Sequence, residues 1–203
     1  MSQPGLSAGQ AAFKRSFDFV VALFGLVVTW WLIFLASIAA SIDTRSNGFF
    51  VQKRVGRNGK IFRVVKIKTM RPVASLDTTV TRRGDPRITP LGTFFRRTKI
   101  DELPQLWNVL VGDMSFVGPR PDVPGFADKL QGEERAMLSI RPGITGPATL
   151  KYCNEEEILA AQADAEAYNR EVIWPDKVRT NLDYIRDWSL RLDIQYILQT
   201  VFH

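Results

Sequence analysis

"FVVALFGLVVTWWLIFLASIAASI", residues Phe19 to Ile42, runs for 24 residues without a charge. As a helix rising ~1.5 Å per residue it reaches roughly 36 Å, enough to cross a hydrocarbon core of about 30 Å. A buried helix of a globular domain is rarely so long or so uniformly apolar. The run therefore predicts a membrane-embedded segment. A cleaved leader is the alternative: Lys14-Arg15 resembles its basic start, and Ser37 to Ala39 loosely resembles a cleavage site. The apolar run far exceeds the ~7–15 residues of such a leader, which excludes it.

Basic residues flank both ends of this run, Lys14 and Arg15 before it and Arg45 with a basic cluster after it. Positive flanks favour the cytoplasmic side, so equal claims at the two ends predict a re-entrant helix rather than a single crossing. Residues 13 and 46 would then lie on one face of the membrane, with the bend between Gly25 and Leu32. No proline lies there, so the bend would need Thr29 to bond a freed backbone carbonyl, or neighbouring protein to hold it. The chain divides accordingly into a mobile tail (1–12), a membrane-embedded helix (13–45) and one domain (46–203).

The net charge of +6 conceals a polarity along the chain. Residues 1–100 carry 17 Lys/Arg against four acids, whereas residues 101–203 carry 10 against 17. Nine basic residues and no acidic one fall between Asp43 and Asp77. A face this basic attracts phosphates, whether of lipid head groups, nucleotides or nucleic acid. Nucleic acid is the weakest of these, given the acidic second half and the apolar anchor. With one Cys (Cys153) and one His (His203, the last residue), an intrachain disulfide and a Cys/His zinc site are excluded. A His-assisted nucleophile would need that terminal His203 as its base. Any chemistry must come from carboxylates, Lys and Arg, with an oxygen-liganded cation if a metal takes part.

The domain reads as α+β: small, mostly helical, with one β-hairpin and amphipathic surface helices. The hairpin has strands near Phe49–Arg54 and Ile61–Ile67 around an Arg57-Asn58-Gly59 turn. Residues 71–90 are polar, with turn signals at Gly84-Asp85-Pro86 and Thr89-Pro90. "LGTFFRRTKI" and "LPQLWNVL" predict two short helices, and "NEEEILAAQADAEAYNREV" a solvated one. Near the C-terminus Leu190, Ile194, Ile197, Leu198 and Val201 share one helical face, expected to be core.

Between the two short helices stands a carboxylate pair, Asp101-Glu102. Asp101 has two readings. It can cap the helix that follows, or, held ionised by that helix's N–H groups, it can attack phosphorus beside basic residues that offset charge repulsion. Adjacent helical residues point roughly 100° apart, so Glu102 would have a separate task, holding a hard cation such as Mg²⁺. Arg120, between Pro119 and Pro121, sits on restricted backbone suited to a phosphate clamp. Arg141 reads equally as a phosphate contact or a turn cap. Lys66 and Lys68 share one face of a strand, expected to be solvated or lipid-facing, with Lys68 kept as a phosphate-binding candidate. Asp113 reads as a turn residue.

"RRTKIDELPQLWNVLVGDMSFVGPRP", "RPGITG" and "VVKIKTM", downstream of a basic-flanked apolar helix, resemble the bacterial sugar transferases. More narrowly they resemble the small monotopic polyprenyl-phosphate phosphoglycosyl transferases, over roughly residues 13–202. The resemblance implies transfer of a sugar-1-phosphate from a UDP-sugar to undecaprenyl phosphate, with release of UMP, on the cytoplasmic face of the bacterial inner membrane. It implies Asp101 as nucleophile, through an aspartyl-phosphosugar intermediate, and Glu102 as ligand of Mg²⁺, with Mn²⁺ as a substitute. Arg96 and Arg120 correspond to basic groups of the phosphate site. An acceptor that is already an ionised phosphate needs no general base, which agrees with the missing histidine. One departure stands out: members of this class usually break the membrane helix with Ser-Pro, where this chain has Trp30-Trp31. That departure touches the re-entrant geometry and leaves the chemistry aside. The rival reading is a membrane-anchored scaffold, without catalysis, that binds anionic lipid through its basic face. Selectivity for the sugar is expected within residues 121–175; neither the sugar nor the oligomeric state is legible.

Overall fold

A computed structural model describes residues 5–71, 85–125 and 127–202. The turn signal at Gly84 and the terminal His203 lie outside the described residues. Helix α1 spans Ala8–Thr44 and begins five residues before Phe13, so the end of the expected tail is helical. The cause is a capping box: Ser7 Oγ accepts from Gln10 N, and Gln10 Oε1 accepts from Ser7 N. The helix is uninterrupted between Gly25 and Leu32, and Thr29 Oγ1 donates to the Gly25 carbonyl at 2.7 Å. It ends on Arg45 in the left-handed region.

The face of α1 that meets the domain is lined with small residues. Ala22 packs against Phe62, Val64, Val109 and Met114; Ala36 and Ala40 pack against Ile67 and Phe95. Gly25 lies so close to Leu106 that a Cβ there would stand 3.1 Å from its side chain. The large apolar residues point the other way: Phe24 is 69 % exposed, Trp30 64 % and Ile42 74 %. A helix of a soluble core buries its large residues; this one covers its smallest and bares the rest.

Strands β1 (Phe49–Val55) and β2 (Ile61–Ile67) form the hairpin the sequence predicts, in antiparallel register from Phe49 opposite Ile67 to Val55 opposite Ile61. Asn58 (φ 57°) and Gly59 (φ 79°) supply the left-handed turn. Helices α2 (Pro90–Arg97) and α3 (Gln105–Val111) bracket the carboxylate pair. The Pro/Gly-rich clusters then assemble with each other. β3 (Ser115–Val117) pairs in parallel with β4 (Gly143–Thr145), and Gly143 N donates to the Pro119 carbonyl at 2.9 Å. A Cβ at Gly143 would lie 2.2 Å from Gly118 N, so only glycine permits this approach, which presents the Pro-Arg-Pro loop.

The expected solvated helix is broken into α5 (Glu155–Ala160) and α6 (Ala165–Tyr168), after the short α4 (Pro147–Lys151). Helices α7 (Trp174–Arg186) and α8 (Leu190–Phe202) complete the chain. Val117, Ile140, Tyr184, Ile185 and Trp188 form the core where α7 meets β3. The apolar face of α8 is a correction to the sequence reading. Of that stripe Ile194, Leu198 and Val201 are exposed and only Leu190 and Ile197 are partly covered, while the helix turns Asp193 and Tyr196 inward. Asp193 decides this orientation. Its carboxylate is buried and accepts from Lys14, Tyr184 and Trp188, bonds that outweigh the apolar stripe.

Candidate active site

Asp101 and Glu102 lie in a 3-10 turn, Ile100–Glu102, between α2 and α3. Lys99, in the left-handed region at φ 58°, turns the chain from α2 into it. For a side chain bearing Cβ this conformation costs roughly 1–2 kcal/mol, a strain stored beside the carboxylates. Asp101 does not cap α3: its N-cap is Pro104, without a side-chain hydrogen bond. Asp101 is 9 % exposed and its Oδ1, fully buried, has no hydrogen-bond partner. Burial, then the neighbouring Glu102, pushes its carboxyl up to about 6, against the pull of Lys66, Arg96 and Lys99. Contrary to the sequence reading, no helix terminus stabilises its ionised form; desolvation sets its affinity for the proton instead.

Glu102 is the opposite case. Burial acts upward on its carboxyl too, but Lys66, Arg120 and Lys99 outweigh it and hold the group below its ordinary value. Lys66 Nζ stands 2.6 Å from Glu102 Oε1. Lys66 thus faces the carboxylates, not solvent or lipid, and burial pulls its own ammonium below the usual lysine range. The sequence reading did not place Lys66 at the dyad. Its only signal was a lysine flanked by Val65 and Ile67 in the hairpin strand nearest the dyad.

The architecture around the pair follows from a few buried polar groups. Asn108 of α3 acts as a short extra strand beside β2, accepting from Val65 N at 3.1 Å and donating to the Arg63 carbonyl at 2.7 Å. That double bond fixes the distance between the dyad's turn and Lys66. Gly92 lets α2 close on the backbone of Thr69, where a Cβ would meet the carbonyl at 2.1 Å. Arg96 Nε then donates to Thr69 Oγ1 at 3.0 Å and stays within electrostatic reach of Asp101. Arg120 is exposed on its proline-bounded loop and acts electrostatically on Glu102, Lys66 and Asp122. Arg54 holds that loop, donating to the Pro121 carbonyl at 3.0 Å, and Val55 N donates to Asp122 O at 2.8 Å.

Two candidates fall elsewhere. Arg141 Nε donates to the Gly112 carbonyl at 2.7 Å, and Arg15 donates to the carbonyls of Val109 and Leu110. Both arginines close the C-terminus of α3, so the cap is the role the structure gives Arg141. Lys68 Nζ donates to Ser46 Oγ at 2.9 Å, tying β2 to the residues just after α1. Asp113 lies in the turn after α3, its N–H on the Asn108 carbonyl.

The site is thus a desolvated carboxylate with a buried, unpartnered oxygen, a second carboxylate paired to lysine, and two arginines, one from the last turn of α2 and one from the Pro-Arg-Pro loop. The family profile of the bacterial sugar transferases matches residues 9–203 of this chain. The chain belongs to that family. This transferase is 37% identical over 196 residues to the undecaprenyl-phosphate glucose phosphotransferase of Komagataeibacter xylinus, covering 93% of the chain and 35% of that relative. It is 34% identical over 192 residues to the UDP-glucose:undecaprenyl-phosphate glucose-1-phosphate transferase of Caulobacter vibrioides, covering 93% and 68%. Over 128 residues it is 44% identical to a Bacillus subtilis protein named for N-acetylgalactosaminyl 1-phosphate transfer to undecaprenyl phosphate, covering 63% and 72%. The transferase spans about a third of the Komagataeibacter relative and most of the other two.

Proposed function

We propose that this transferase moves a sugar-1-phosphate from a UDP-sugar to undecaprenyl phosphate in two displacements at Asp101. The observation that carries the reading is the buried, unpartnered Asp101 Oδ1 in a chain of this family. A desolvated carboxylate oxygen with no hydrogen bond is a strong nucleophile toward phosphorus. In the first displacement Asp101 Oδ1 attacks the phosphorus that bears the sugar. The bond to the bridging oxygen breaks, UMP leaves with that electron pair, and an aspartyl-phosphosugar remains. In the second, a phosphate oxygen of the lipid attacks the same phosphorus and Asp101 departs as carboxylate. No proton is transferred in either step. Arg96 and Arg120 would offset the charge gathered on the phosphoryl oxygens.

Two adjacent carboxylates fit a magnesium ion that completes its coordination from substrate phosphates and water. Glu102 would hold the cation, in competition with Lys66, whose ammonium stands on its Oε1. When bound, it would supply Lewis-acid charge neutralisation on the donor's diphosphate.

Membrane placement forms part of the reading. At ~1.5 Å per residue α1 is roughly 55 Å long, yet both of its ends grip one body. Lys14 bonds Asp193 of α8 and Asp18 accepts from Phe116 N, while Asp43 bonds Arg71 and Ala40 packs on Ile67 and Phe95. A helix that crossed with the domain on one side could not make both sets of contacts. These pairs favour the same-face arrangement, with α1 unbroken along the domain rather than bent between Gly25 and Leu32, and with the domain on the cytoplasmic face where UDP-sugars are found. The bare faces of α1 and α8, with Phe94 and Trp107 beside the dyad's turn, would rest in the lipid.

Purified protein incubated with Mg²⁺, undecaprenyl phosphate and a panel of UDP-sugars should release UMP with at least one donor, and Asp101→Asn should not. Equal release by Asp101→Asn would refute the reading. Membrane binding without turnover by either protein would favour the lipid-binding scaffold. Full turnover of the wild type in excess EDTA would refute the metal's part.

A further inference from the structure

Lys66 carries an inference beyond that reaction, resting on the reading of Glu102 as the cation's ligand. Its ammonium, on β2 opposite Phe50, has three donors, and Glu102 Oε1 at 2.6 Å takes one of them. Both side chains are mostly covered, 21 % and 19 % exposed. A carboxylate that is shielded in this way holds an ammonium and a dication together only against their mutual repulsion across a few ångströms with little water between them. Taking the cation therefore favours release of the ammonium. Asp101 lies within the electrostatic reach of Lys66, and its Oδ1 is buried and unpartnered.

We propose that Lys66 is a hand-off residue: it holds Glu102 while the site lacks a cation, and when Glu102 takes the cation its ammonium passes to the phosphoryl oxygens beside Asp101. Lys66 forms and breaks no covalent bond and gives up no proton; it contributes hydrogen bonds and one positive charge. Before loading, the pair keeps Glu102 from repelling an incoming diphosphate. After loading, one event brings two cations to the reacting phosphorus, the metal ion on Glu102 and the ammonium of Lys66. This makes Lys66 a catalytic residue, because it touches the group in transfer.

The test reads binding, not turnover. Free Mn²⁺ is titrated by electron paramagnetic resonance against wild type, Lys66→Met, Lys66→Gln and Lys66→Arg, each shown to melt cooperatively. UDP affinity is then measured by calorimetry in Mn²⁺ and in EDTA. The proposal predicts that Lys66→Met and Lys66→Gln bind Mn²⁺ about tenfold or more tightly, since a competing cation has gone. The same variants should lose most of the gain in UDP affinity that Mn²⁺ gives the wild type, and Lys66→Arg should keep it. In a Glu102→Gln background, Lys66→Met should leave Mn²⁺ affinity unchanged. Unchanged or weaker Mn²⁺ binding by folded Lys66→Met and Lys66→Gln would make the pair a structural clasp and overturn the proposal. An undiminished UDP gain would do the same for the phosphoryl contact. A wild type that shows both effects yet releases UMP from no donor would sink the reaction above and leave the hand-off standing; a wild type that binds neither Mn²⁺ nor UDP would overturn both.

Discussion

Asp101 is costly to keep. Its folded carboxyl titrates at about 6 against an ordinary value of 3.8, so the folded state holds the proton more tightly than the unfolded chain does. Below the unfolded value both states are protonated and the residue is neutral in stability. As pH rises through the folded value a destabilising charge is buried, a burden of about 2–3 kcal/mol at full ionisation. Asp101→Asn should therefore raise the melting temperature at pH 8, with the gain vanishing below about pH 4, while turnover falls on the order of a thousandfold or more. Thermal melts of both proteins across this range check it; equal stability at all pH values would contradict the burial argument. Wild-type turnover should fall about tenfold per unit as pH drops below about 6, where Asp101 takes up its proton. The dyad itself was legible, because two carboxylates in that motif are local information. Its electrostatics were not: a helix dipole is read from neighbours in sequence, whereas desolvation comes from β2 and α1 folding over the turn.

At the scale of elements, buried polar bonds decide where helices sit. Lys14 meets Asp193 across 179 positions of sequence, with Tyr184 and Trp188 on the same carboxylate. Removing one partner leaves the other charge buried, a loss of about 3–5 kcal/mol. Lys14→Met should accordingly lower the melting temperature markedly, and Lys14→Met with Asp193→Asn should recover part of the loss. Additive losses in the double variant would show that the two residues act independently. The hairpin was legible from alternation and an Asn-Gly turn, both short-range signals. The orientation of α8 was not, because the apolar stripe gave no hint of a lysine far upstream that holds Asp193 inward. Asn108 escaped for the same reason: in "QLWNVL" it looks like one polar residue of an amphipathic helix, and only β2 makes it a strand edge.

For the molecule as a whole, the apolar run announced a membrane segment from composition alone, and its bare large residues agree. Which face each end occupies depends on contacts that lie outside the run, and Trp30-Trp31 in place of a proline break gave the sequence no local mark. The topology is tested with single cysteines, Ser2→Cys and Ser46→Cys, in a Cys153→Ser background. Intact spheroplasts are treated with an impermeant thiol reagent. Protection of both positions is the predicted result. Labelling of Ser2→Cys alone would mean that α1 crosses, and that the Lys14–Asp193 contact does not hold in the membrane.

The central claim, that Asp101 carries the sugar phosphate between donor and lipid, is open to one direct measurement. The purified protein is incubated with Mg²⁺ and the donor it turns over, without undecaprenyl phosphate, and its intact mass is recorded. The predicted result is a mass increase of one phosphosugar, mapped to Asp101, lost on addition of the lipid phosphate and absent from Asp101→Asn. No adduct, together with sequential rather than ping-pong kinetics, would contradict it.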